Sequence, residues 1–196
     1  MLPAYIRAIS RDDLSPYLLH LSWGTGVDAG SLTPPQVLRS IIREWKVRSS
    51  LRPDIVNNDV RGAACFYDVP LQQWQRLVET NPTGRRPYGL IVERNVFWQK
   101  GGRPAIYTDA PHLGWPDGER FRLIRTELNR PDQPVDWMHE REWRFPGPLT
   151  LDGPRLQWWW PCVLTVEEAH SLMREFYPKI YSVYAFEAGC TINRQW

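Results

Sequence analysis

Glu140 and Glu142 stand two residues apart in the tract Asp136-Trp137-Met138-His139-Glu140-Arg141-Glu142-Trp143-Arg144-Phe145, an aromatic segment that also carries two arginines. On a strand, residues i and i+2 leave the same face, so both carboxylates would point to one place. Such a pair suits a cationic, ribose-bearing substrate. Carboxylates that hold ribose hydroxyls favour cleavage of an N-glycosidic bond, because the ribose becomes oxocarbenium-like as its base leaves and a nearby anion stabilises the growing charge. The plainer alternative is a set of cross-strand ion pairs among Glu140, Arg141, Glu142 and Arg144 on a solvated face.

Three further groups have the right chemistry to join that site. His20 and Ser22 share the i, i+2 relation in the apolar run Tyr17-Leu18-Leu19-His20-Leu21-Ser22-Trp23. A neutral imidazole donates and accepts at once, so the pair can meet a ribose or a carboxamide; a core histidine bonded to a carbonyl is the alternative. Arg61 enters an apolar segment from a basic loop, where its guanidinium could grip a diphosphate or simply lie in solvent. Tyr67, Tyr88 and Tyr107 read as core tyrosines, with Tyr88 the candidate for stacking because Gly89 beside it permits close backbone approach. Trp158-Trp159-Trp160 cannot all be buried on one strand face, which leaves one for stacking or an interface.

Metal chemistry finds no ligand spacing: His20, His112, His139 and His170 are unpaired in sequence and the cysteines are scattered. No metal site is expected. Neither a GxSxG elbow, a P-loop nor a GxGxxG fingerprint occurs. Arg43, Lys46, Arg48, Arg52 and Arg61 could form a phosphate-facing strip, although such clusters are more often solvated loops.

Length and composition set the frame for these groups. The chain has 196 residues, 42% hydrophobic and 23% charged, which is enough for one domain over residues 1–196 with its own core. A formal net charge of +2 neither demands nor excludes a nucleic-acid partner. Cys65, Cys162 and Cys190, odd in number and far apart, read as thiols in a reducing compartment. No apolar run is long enough for a signal peptide or a membrane span, so a cytoplasmic protein without membrane contact is expected.

The elements that must position the candidates follow from periodicity and capping. Tyr17–Trp23 reads as a buried strand. Thr33-Pro34-Pro35-Gln36 supplies a capping box and a first-turn proline for a helix carrying Val37, Leu38, Ile41, Ile42 and Trp45. A strand over Ala63–Tyr67 and a helix begun by Val69-Pro70-Leu71 and running to about Glu79 follow. Strands are then predicted at 88–92, 103–107, 121–125 and 142–145, a capped helix after Thr165, and a closing strand from Tyr181 to Phe186. About three helices among six or seven short strands, without regular βα alternation, indicate an α+β fold.

Taken together, Leu19-His20-Leu21-Ser22, the run Arg61-Gly62-Ala63-Ala64-Cys65-Phe66-Tyr67-Asp68-Val69-Pro70-Leu71, Tyr88-Gly89, Gly101 to Tyr107 and Glu140-Arg141-Glu142-Trp143-Arg144 resemble the AbiGi-like abortive phage resistance proteins, over residues 17–145. That family more distantly resembles the DarT-type ADP-ribosyltransferases. The resemblance implies a split β-sheet core with NAD as co-substrate in a cleft between two small sheets. It implies transfer of ADP-ribose to a macromolecular acceptor, DNA or RNA ahead of protein, as a toxin or antiphage effector. By position, Glu142 would be the catalytic glutamate and Glu140 would activate the acceptor. His20 and Ser22 would hold the nicotinamide ribose and carboxamide, and Arg61 or the preceding loop arginines would meet the phosphates or the substrate. The competing expectation is a catalytically silent antitoxin-like or phage-sensing module with a protein partner.

Overall fold

The structure, a computed structural model, describes residues 15–23, 32–51, 59, 61–80, 85–109, 114–128, 138, 141–151 and 158–194. Its first half runs β1 (Tyr17–Trp23), α1 (Pro34–Glu44), β2 (Lys46–Val47), β3 (Ala63–Tyr67), α2 (Leu71–Thr80), β4 (Arg85–Glu93) and α3 (Arg94–Gln99). Then come β5 (Arg103–Pro104), β6 (Ile106–Thr108), a 3-10 helix (Asp117–Arg122), β7 (Leu123–Arg125) and β8 (Glu142–Pro146). The last part contains β9 (Leu149–Thr150), β10 (Trp159–Val163), α4 (Val166–Glu175), β11 (Ser182–Ala185) and β12 (Cys190–Asn193).

Eight strands form one mixed sheet in the order β12-β11-β10-β4-β1-β3-β8-β5. The fold is α+β. Where two comparable small sheets were expected, the strands join across the middle, because Leu18, Leu19, Leu90, Ile91 and Val92 of β1 and β4 are buried whichever way they point. Each such side chain contributes about 1.5–3 kcal/mol on burial, so an open cleft between β1 and β4 would be costly. Two smaller sheets flank the main one, antiparallel β2–β9 and parallel β6–β7.

The main sheet is covered on both sides. Leu38, Ile41 and Ile42 of α1, Phe97 of α3 and Leu172 and Met173 of α4 pack with Leu18, Phe66, Leu90 and Val92. On the other side, Trp74 of α2 packs with Leu19, Leu21, Ile91, Cys162 and Phe186.

Local chemistry explains the helix starts. Thr33 and Gln36 close a capping box with proline in the first turn of α1, and Thr165 and Glu168 do the same for α4. The sequence does not announce α3: its six residues follow β4 directly and are too few for an amphipathic period to register. No helix among the described residues is long and apolar enough to cross a membrane.

Gly89 has a specific reason. A Cβ there would sit 1.8 Å from the His20 carbonyl oxygen, so the β1–β4 pairing at this point requires glycine. The close approach anticipated at Tyr88-Gly89 is therefore between two strands of the sheet.

Candidate functional site

Strand register decides which candidates meet. Leu19 pairs with Tyr67 and Tyr67 with Glu142, which places these three side chains on one face of the sheet. His20, one residue on from Leu19, leaves the opposite face. The α1 side of the sheet thus holds His20, and Tyr88 packs there too, while the β1–β4 register is irregular at Ser22. The α2 side holds Glu142. Backbones two strands apart lie about 10 Å from each other, so the sheet itself stands between the two side chains.

Each candidate also has local partners. His20 Nδ1 lies 2.8 Å from the Cys65 carbonyl oxygen, and its ring packs 5.2 Å from that of Phe66. Ser22 is buried, with no hydrogen-bond partner for its hydroxyl among the described residues. The Tyr88 hydroxyl donates to Glu168 at 2.6 Å, and burial together with that carboxylate pushes the phenol up to about 12. Arg61 is half-exposed and grips Asp59 at 2.5 Å, which lowers the Asp59 carboxyl below its usual range. In the basic strip, Arg43 pairs with Glu175 and Arg48 with Glu44. Glu140, His139 and Arg52 lie outside the described residues.

Glu142 is a joint. It is 7% exposed, and its carboxylate accepts from Arg144 Nε at 2.7 Å, with Arg144 itself 3% exposed. The Arg144 Nη1 donates to the Leu123 carbonyl at 2.8 Å and the Phe121 carbonyl at 3.3 Å. One buried ion pair therefore fastens the β6–β7 sheet to β8. The Glu142 N–H adds a bond to the Tyr107 hydroxyl at 2.8 Å. Charged groups this deep are stable because their hydrogen bonds offset much of the desolvation.

Beyond this joint opens a cleft of about 610 Å³, lined by Tyr107, Thr108, Asp109, Thr126, Glu127, Leu128 and Met138. It sits where the parallel strands β6 and β7 end, with Thr108 paired to Arg125 and the Thr126 N–H donating to the Thr108 carbonyl at 2.9 Å. Both strands run into the same dipeptide type, Thr108-Asp109 and Thr126-Glu127. Two threonines and two acidic residues thus line the cleft. Thr126 is 8% exposed and its hydroxyl has no hydrogen-bond partner among the described residues, an unmet bond at the cleft wall. Glu127 is drawn partly aside by an ion pair with Arg125, while Asp109 is exposed.

No family model, curated protein or solved structure matches the chain.

The same end of the sheet carries a second polar knot. Asp68 is buried, and its Oδ2 accepts from Arg94 at 3.3 Å and Arg141 at 3.4 Å while Oδ1 accepts from the Ser15 N–H at 3.3 Å. Arg141 takes a left-handed backbone with φ of 46°, a conformation costing an ordinary residue about 1–2 kcal/mol. Strain of this kind between the carboxylates of the E-x-E tract concentrates at sites the rest of the structure holds in place.

The sequence predicts Tyr107 as core. Thr108, Asp109, Thr126, Glu127 and Met138 are not among its candidates. The signal that could have found four of these is the repeated threonine-carboxylate pair after two short apolar segments, which gains meaning once the two strands are known to be parallel neighbours.

Proposed function

We propose that the chain is an NAD-consuming ADP-ribosyltransferase that modifies a macromolecule, a nucleic acid ahead of protein, and that it holds the nicotinamide ribose in the Tyr107–Met138 cleft. The observation that supports this reading most is the unpartnered Thr126 hydroxyl beside the Asp109 and Glu127 carboxylates in a cleft of about 610 Å³, a size within the usual small-molecule range. Ribose presents vicinal hydroxyls that a carboxylate and a hydroxyl can hold together.

In this reading the bond between ribose C1′ and the nicotinamide nitrogen breaks, and nicotinamide leaves with the electron pair. The oxocarbenium-like ribose is stabilised by the carboxylate nearest its 2′-hydroxyl. An oxygen or nitrogen of the acceptor then attacks C1′ and gives up its proton to the other cleft carboxylate. Glu142 serves by holding the cleft wall through Arg144 and Tyr107, and His20, on the other face, takes no part in binding the same ribose.

Nicotinamide release from labelled NAD, with and without cell lysate, tests the reading. Asp109→Asn and Glu127→Gln should lower release by about 10²-fold or more for whichever residue faces C1′, while His20→Ala leaves it unchanged. Absence of both saturable NAD heat by calorimetry and nicotinamide release would exclude the activity. A silent, partner-binding module is the second reading, and the commitment of Glu142 to Arg144 is what favours it. That reading expects no NAD heat at all.

A further inference from the structure

The α2 face of the sheet carries a second cavity, of about 390 Å³, that the proposed NAD chemistry does not use. Tyr17 of β1, Trp74 of α2, Trp160 of β10 and Tyr184 of β11 form its walls, Ile91 of β4 is in its floor, and the Gly189–Thr191 segment forms a rim. Trp160 is thus the member of the tryptophan triplet left for contact, while Trp158 and Trp159 are buried.

Tyr17 meets Trp160 at 89° and Trp74 meets Tyr184 at 81°, with centroids 5.7 Å and 5.2 Å apart. Both contacts are edge-to-face, as elsewhere in the core, but Tyr17, Trp160 and Tyr184 are only partly buried, which leaves their rings open to a flat ligand. Trp74 Nε1 is committed to the Val69 carbonyl at 2.8 Å, leaving hydrogen bonding to the tyrosine hydroxyls and the exposed rim. Among the described lining residues there is no charged side chain to fix a cation or an anion. Aromatic walls with a polar rim fit a ligand that is apolar on its faces and hydrogen-bonding along its edge.

We propose that this cavity binds a nucleobase, either in a free nucleoside or as an unpaired base of a single strand. The site stands whether or not the Tyr107 cleft handles NAD. Cys190 on its rim is exposed, whereas Cys65 is half-buried elsewhere and Cys162 is buried. The Cys190 thiol therefore reports occupancy.

Alkylation of the full chain by iodoacetamide, followed at each cysteine by mass spectrometry, should slow about tenfold at Cys190 once adenosine or oligodeoxyadenylate stands about ninefold above its Kd, and stay constant at Cys65. Protection by adenosine identifies a free-base site, and protection by the oligonucleotide alone identifies a base presented in a strand. Trp160→Leu should abolish protection. Thr191→Arg, at the exposed rim and outside the core, should do the same by closing the mouth if the first variant folds poorly. Unchanged Cys190 alkylation at about 1 mM of either probe, or protection that persists in both variants, would overturn the assignment.

Discussion

His20 and Glu142 are both polar residues on strands of one sheet, one register step apart, yet they occupy different environments. His20 leaves the α1 face, half-buried, with its imidazole on the Cys65 carbonyl. Glu142 leaves the α2 face, buried, with its carboxylate on an arginine that in turn holds one carbonyl of the 3-10 helix and one of β7. A pleat of period two makes the difference: residues that seem to share a site in sequence are divided by the sheet when their register positions differ by one. Proximity of backbone is therefore a poor guide to a shared ligand in a sheet covered on both sides.

The sharpest way to break this comparison is to remove the partner and keep the carboxylate. Arg144→Leu leaves Glu142 buried and uncompensated and releases the Phe121 and Leu123 carbonyls, so urea unfolding should show a loss of about 3–5 kcal/mol. His20→Ala should cost about 1 kcal/mol. Equal costs in the two variants would mean that Glu142 is no more of a joint than His20. Next in size, Gly89→Ala drives a methyl against the His20 carbonyl and should destabilise by about 3 kcal/mol through strained β1–β4 pairing. A tolerated alanine would show that this pairing can open on the His20 side.

Much of the fold was legible because it rests on local rules. Tyr17–Trp23 and Ala63–Tyr67 are strands with the predicted bounds, and α1 starts at the predicted cap. The single large sheet was not legible, since pairing between β8, β3 and β1 is nonlocal and no periodicity encodes it. The Phe121–Arg125 segment shows a different limit: Phe121 and Arg122 close a 3-10 helix, and only Leu123–Arg125 forms a strand, which pairs parallel with β6. The candidate site was legible in residue type but not in place. Thr126 looks like any loop threonine until burial strands its hydroxyl beside a cleft.

That hydroxyl gives the third test. Thr126→Val keeps the shape and removes an unmet buried polar group, so stability should hold within about 0.5 kcal/mol or rise. NAD affinity by calorimetry should fall about tenfold, the value of one hydrogen bond to a ligand hydroxyl. Weakened binding in His20→Ala with none in Thr126→Val would move the ribose back to the α1 face.

The smallest effect belongs to Tyr88, which shares the α1 side with His20 but is tied to α4. Its phenol is raised to about 12 in the folded chain, by burial first and by the Glu168 carboxylate second, against about 10 when unfolded. Below about pH 10 both states keep the proton and the stabilisation is complete. Between about 10 and 12 the unfolded chain ionises first, so native stability falls as pH rises through that window. Tyr88→Phe should lose about 1 kcal/mol at neutral pH and make the alkaline limb shallower, whereas a phenol that ionised freely in the fold would leave the two limbs parallel. Since Glu168 also closes the capping box of α4, a shallower limb with α4 intact would show that Tyr88 anchors the helix to the sheet and is not held in reserve for a ligand.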